Sequence, residues 1–195
     1  LPLSGGGHLI VDGSTRRQYG VFGPAGRSLA PGDTGIAVLA FSNATNGDQP
    51  DWLNDLLVQN LGTADTSSIS ELSLWHDVNS DNQLNVGDTT LAILTYTAGT
   101  WSCYDLALPV SNIPPHLLFV VDIAASAIPN ATIRLAVPEN GCDYGSANDG
   151  PIDSSLVAPG LFTVSTSGLK ISLGSMEESY TVGQTIDLAL SITNL

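Results

Sequence analysis

Residues 77 to 88 read DVNSDNQLNVGD, which puts oxygen-bearing side chains at places one, three, five, nine and twelve of a twelve-residue stretch. A hard cation takes about six to eight oxygens at about 2.3–2.6 Å, and a tight loop delivers them from alternate side chains, a backbone carbonyl and a closing carboxylate. Asp77, Asn79 and Asp81 would supply the first three, Gln83 its carbonyl, Asn85 a direct or water-mediated contact, and Asp88 the closing group. Calcium is the ion this donor set selects.

Asn82 occupies the sixth place, where the sharp turn favours glycine, and Asn is the side chain that best tolerates positive φ. Asp88 at the twelfth place has a shorter reach than a glutamate for two-oxygen closure. On these residues the loop resembles an EF-hand calcium loop in its dockerin version, in which Asp often stands twelfth and Asn third. The resemblance stops at the loop, because a dockerin continues into a helix whereas Thr89 to Thr97 (TTLAILTYT) is β-branched and aromatic. A solvated polar turn between strands is the alternative reading.

The elements that must hold the loop follow from periodicity. Leu72 and Leu74 alternate with polar neighbours, Trp75 and His76 lead in, and Leu91, Ile93 and Thr95 lead out, which predicts a long hairpin connection. Leu84 is expected to pack inward and tie the ion to the core. Similar runs recur at 35–41, 55–60, 69–78, 89–97, 101–108, 116–124, 131–137 and 160–166, separated by Gly, Pro, Asn and Asp. Residues 52–58 (WLNDLLV) have a helix-like leucine count, but their neighbours favour a strand. The pattern predicts an all-β fold, an antiparallel immunoglobulin-like or jelly-roll-type sandwich with a C-terminal strand extension.

The 195 residues suit one sizeable domain, with or without an appendage, and 43% hydrophobic content is ample for its core. A balance of 19 acidic to 5 basic residues gives a net charge of −14, which opposes nucleic acid and anionic membrane and favours cations. Only 12% of residues are charged, so the surface is neutral-polar, as in many secreted β proteins. No run reaches the length of a membrane span. The chain begins at Leu1 rather than Met, as expected of a processed mature form, and a partial chain reads the same.

Three segments are expected. Residues 1–30 are Gly-rich, hold Arg16, Arg17 and Arg27, and read as a first strand or an arm toward a neighbour. Residues 31–167 form the sandwich, and 168–195 a β extension. Within the extension Ile186, Leu188, Leu190 and Ile192 share one face opposite Asp187, Ala189, Ser191 and Thr193. The phrase YTVGQTIDLALSITN resembles the opening two strands of an immunoglobulin-like domain of bacterial and archaeal surface proteins. Two strands cannot bury their own apolar face, so the segment either docks on its own sandwich or completes a neighbour's sheet. Head-to-tail addition that does not close gives a filament.

Asp143, Asn148, Asp149 and Asp153 make a second candidate calcium site, and Asp48, Asp51 and Asp55 a sparser third, although Asn and Asp are also ordinary turn residues. Cys103 and Cys142 are expected to form a disulfide in an extracellular chain, worth roughly 4 kcal/mol in the chain-entropy model, with two buried free thiols as the alternative. Two sulfurs and the scattered His8, His76 and His116 do not compose a closed zinc site. Asn43 and Asn130 open N-glycosylation patterns. No nucleophile elbow is present, and the glutamates are only Glu71, Glu139, Glu177 and Glu178, so the chain reads as non-enzymatic.

From Asp51 to Asp153, about half the chain, the sequence is similar to secreted prokaryotic sandwich modules in which a phrase such as LWHDVNSDNQLNVGDTTLA interrupts the strands. That resemblance implies surface architecture rather than a reaction. The expected function is a calcium-stabilised structural subunit of an extracellular filament or cell-surface layer, polymerised with its own kind through strand exchange. The alternatives are a calcium-dependent adhesin or carbohydrate-binding module that touches a glycan, and a fragment of a multidomain surface protein. Exposure of Trp52, Trp75, Trp101 or Tyr144 would favour the binding module.

Overall fold

The computed structural model describes residues 13–43, 51–111, 113–146 and 148–165, with the backbone of two further strands at 169–173 and 190–194. Residues 1–12, Asp48 and residues 186–189 of the C-terminal run lie outside the described residues. The chain forms β1 (Gly20–Phe22), β2 (Ser28–Leu29), β3 (Ile36–Ser42), β4 (Asp51–Asn60) and β5 (Ile69–His76) before the oxygen-rich loop. After it come β6 (Thr89–Ile93), β7 (Thr95–Thr97), β8 (Thr100–Cys103), β9 (Leu108–Val110) and β10 (His116–Ile123). Shorter strands follow: β11 (Thr132–Ile133), β12 (Leu135–Val137), β13 (Cys142–Tyr144), β14 (Leu156–Val157), β15 (Phe162–Val164), β16 (Leu169–Leu173) and β17 (Leu190–Asn194).

The predicted all-β sandwich forms. One antiparallel sheet has the order β1-β3-β10-β5-β6, and it packs on a second ordered β14-β12-β4-β8-β7, with β9 and β13 also paired to β4. A small third sheet, β11-β15-β2, contains a parallel pair, Thr163↔Ser28 and Val164↔Leu29, where only antiparallel pairing was expected. β10 shows how composition sets position. Its residues 117–121 are all buried, which is the mark of a central strand covered on both faces. Leu117, Phe119 and Val121 join the main core, while Leu118 and Val120 join Ala40 in a second cluster on the outer face of the sheet.

Several predicted runs break in two. TTLAILTYT is one apolar phrase, but it bends at Leu94, so β6 ends the first sheet and β7 ends the second. Leu94 is buried at that corner, and its N–H donates to Leu72 O at 2.8 Å. The 101–108 run is cut by positive φ at Asp105 (56°) and Ala107 (48°), and its halves pair with successive parts of β4. The 131–137 run divides at Arg134 between two sheets. In the N-terminal segment, read as a first strand or an arm, β1 pairs with β3 at the edge of the first sheet and β2 with β15 in the small third sheet.

The expected disulfide is not made; Cys103 and Cys142 are free, buried thiols. Both stand in register with Leu56, one on each side of β4. Two strand spacings put their backbones about 10 Å apart, beyond the roughly 7 Å limit for a bridge. At the C-terminal end β16 and β17 pair antiparallel, from Leu169↔Asn194 to Leu173↔Leu190, in a two-stranded sheet joined to no other described strand.

Candidate metal centre

The 77–88 loop is the predicted hairpin connection, since β5 and β6 pair antiparallel from Ser73↔Ile93 to His76↔Thr89. Asp77 anchors it to the sheet. Its N–H donates to His116 O at 3.0 Å, and its side chain is almost wholly buried. The chain then turns through positive φ at Ser80 (58°) and Asn82 (63°). Asn82 thus takes the left-handed conformation expected of it, and Gly87 adds a third positive φ (115°) near the loop's end.

All three carboxylates fold inward on the loop's own backbone. Asp77 Oδ2 accepts from Asn82 N–H at 2.8 Å, and Asp77 Oδ1 accepts from Asp81 N–H at 3.3 Å. Asp81 Oδ1 accepts from Gln83 N–H at 2.9 Å. Asp88 closes the loop across its two ends, accepting from Val78 N–H at 3.1 Å and from Asn85 N–H at 2.9 Å. The amides of Asn79 and Asn85 both donate to Asp81 Oδ2, at 3.1 and 2.8 Å, and the Asn85 amide also reaches Gln83 O at 3.4 Å. Asp77, Asn79, Asp81, Gln83, Asn85 and Asp88 are therefore one connected group.

The donor chemistry fits a hard cation. Two Asn amides now meet Asp81 with their nitrogens; turning each about its last bond by half a revolution presents carbonyl oxygen to the same point. Among the described residues no three His, Cys, Asp or Glu side chains come together as a metal cluster, so an ion here would draw on amide and backbone oxygen besides the three aspartates. Asn82 Oδ1 is buried without a hydrogen-bond partner, a polar atom left over in the closed loop.

Sequence spacing alone missed His116. Its Nδ1 lies 3.5 Å from Asp77 Oδ2, and its ring stands 4.8 Å from that of Phe22. β10 brings it there by pairing beside the last residue of β5, a long-range register that no local motif announces. No Lys or Arg forms an ion pair among the described residues. Leu84 packs as expected in direction but onto a different core: it covers the outer-face cluster of Ala40, Leu118 and Val120, beside Ala37 and Trp75.

The other acidic clusters serve the backbone. Asp149 Oδ1 accepts from Tyr144 N–H at 2.7 Å, Asp153 Oδ1 accepts from Arg16 N–H at 2.6 Å, and the Asn148 carbonyl accepts from Ser14 Oγ at 3.0 Å. The first bond braces the 142–153 loop internally, and the other two staple it to the first described residues. Asp143 faces Asp55 across the strand pair. Partial desolvation, then the charges of Asp149 and Asp55, raise its carboxyl above the usual range. Asp51 is buried, accepting from the Trp52 and Ser146 N–H groups at 2.8 and 3.1 Å and from the Ser146 hydroxyl.

Tyr19 and Tyr144 lie buried around Cys142, a polar group that sequence spacing did not reveal. Burial pushes the Cys142 thiol up to about 12 and, with the Asp55 charge adding, the Cys103 thiol up to about 11. Neither is a nucleophile at neutral pH. Of the two glycosylation candidates, Asn43 is only 1% exposed, which closes its amide to modification in the folded chain, whereas Asn130 is exposed in a turn with φ 64°.

No family model matches the chain, and no curated protein sequence is significantly similar to it. No helix among the described residues is long and apolar enough to cross a membrane.

Proposed function

We propose that this chain is an extracellular structural module, a subunit of a filament or cell-surface layer, with calcium in the 77–88 loop and copies joined by β-strand addition. The observation that carries this reading is the connected group of three aspartates in that loop. Among the described residues no Lys or Arg pairs with Asp77, Asp81 or Asp88, so their carboxylates are met by N–H groups, with the His116 ring beside Asp77. A divalent cation is the missing counter-charge.

The placement of the aromatics supports architecture over ligand recognition. Trp101 and Tyr144 are core residues, and Trp75 is half-buried on the outer-face cluster with its Nε1 donating to Ser73 Oγ at 2.9 Å. Trp52 alone of the four is open, at 50% exposure, and it sits on β4 in the other sheet. Strand addition is supported by β16 and β17, since they pair in a two-stranded sheet joined to no other described strand, and two strands alone are marginally stable.

Electron microscopy tests the reading with the full chain in calcium, the full chain in chelator, and a chain lacking residues 186–195. The full chain in calcium is expected to form fibres or sheets, and the shortened chain to stay monomeric with its sandwich folded. Monodisperse monomers of the full chain at high concentration in calcium, or normal fibres from the shortened chain, overturn it.

A further inference from the structure

The loop does more than connect two strands. It folds back across the outer face of the first sheet, where Ala40, Leu118 and Val120 are each 2% exposed or less although they point away from the main core. Alternation along β10 requires this: Leu117, Phe119 and Val121 fill the sandwich, so Leu118 and Val120 face the other way and need a cover. Leu84 is the loop residue packed on them, and its Cδ2 lies near enough to Gly35 to meet a Cβ there at 3.5 Å.

A surface depression of about 220 Å³ borders this cover, lined by Pro24, Arg27, Ile36, Asn82, Gln83 and Leu84. Asn82 Oδ1 is buried without a partner while the loop is closed, and opening to water would satisfy it. Mutual repulsion of Asp77, Asp81 and Asp88 also favours opening. Against these stands the burial of Leu84 and of the face beneath it.

From these opposed terms we infer that the 77–88 loop is an ion-controlled lid: bound calcium holds Leu84 down on the outer face, and loss of the ion lifts it and bares Ala37, Ala40, Trp75, Leu118 and Val120. The inference rests on the calcium reading above and adds what the ion regulates, namely access to an apolar surface on an otherwise acidic molecule. Because the aspartates and Leu84 share one short segment, closing the lid and binding the ion are a single equilibrium, and each strengthens the other.

The test uses the full chain, Leu84→Ser, and for optical work the Trp52→Phe form, in which Trp75 reports the face while Trp101, buried in the main core, gives a constant background. Calorimetry reports calcium binding, while Trp75 emission and binding of an apolar dye report the face. Chelation of the wild type is expected to shift Trp75 emission to longer wavelength and raise dye binding severalfold, with far-ultraviolet dichroism unchanged. Leu84→Ser should show the open signature even in calcium and bind the ion about three- to tenfold more weakly, by reciprocity. Leu84→Met, which keeps an apolar cover, should behave as wild type. Calcium heat with no change in emission or dye binding overturns the lid and leaves the metal site standing. Absence of calcium heat in the wild type overturns both.

Discussion

Replacement of Asp77 by Asn tests the metal centre most directly, because it keeps the side chain's shape and removes only its charge. In chelator the loss is local. The bond from Asn82 N–H, 2.8 Å long, changes from a charge-assisted contact to a neutral one, a difference of about 1–1.5 kcal/mol. Relief of repulsion from Asp81 and Asp88 offsets part of that. At about 2–4 °C per kcal/mol for a chain of this size, the variant should melt about 2–6 °C below wild type in chelator. Calcium widens the gap. Free ion at a hundred times its dissociation constant stabilises the wild type by about 2.7 kcal/mol, or about 5–11 °C, and a loop without its first carboxylate gains almost nothing. Paired calorimetric scans at one pH, in chelator and in calcium, therefore give four melting temperatures whose double difference is about 5–11 °C. An equal calcium-induced rise in both proteins would show that Asp77 is not a ligand.

Two further outcomes follow from the core. Cys103 and Cys142 hold their protons up to about 11 and about 12 when folded, against an ordinary value of 9.0, so both states are neutral below about pH 8 and only the unfolded thiols ionise just above it. The thiols' contribution should therefore be constant to about pH 8 and be lost as pH climbs toward 11–12, where burial of Tyr19 and Tyr144 adds in the same direction, so Cys142→Ala should reduce the fall without abolishing it; denaturant midpoints across that range measure it. Gly62→Ala places a Cβ 2.1 Å from Thr132 O, a backbone atom that cannot step aside, and should cost about 1–3 kcal/mol in the same denaturant assay.

The long strands and the hairpin connection at 77–88 were legible because their signals are local. β3, β4, β5 and β10 are runs whose burial follows side-chain type, and the loop's oxygens declare themselves by spacing alone. What failed was information about which sheet a strand joins. Nothing in TTLAILTYT marks Leu94 as the corner where the chain leaves one sheet for the other, since Leu is as apolar as its neighbours. The cysteine pair misled for the same reason: two thiols in an otherwise suitable chain suggest a bridge, and only the register on Leu56 shows a strand between them. Leu84 was read correctly as inward, but a sequence with two apolar faces on β10 does not say which face receives it.

The position of the loop on β5 and β6 then explains why so acidic a chain concentrates three carboxylates in twelve residues. A net charge of −14 with few cations nearby penalises every added aspartate, and spreading Asp77, Asp81 and Asp88 over the surface would lower that penalty. The fold does the reverse, burying Asp77 at the end of a core strand and holding Asp81 and Asp88 in the same short loop through backbone N–H groups. Under the calcium reading proposed above, that repulsion would be returned as affinity for a cation. A strand end is the place where that affinity has leverage, because Asp77 continues β5, Asp88 precedes β6, and Leu84 between them seals the outer face. Substituting Asp81 alone should for this reason disturb protection of β6 amides against hydrogen exchange in calcium, while leaving β4 on the far sheet at wild-type rates.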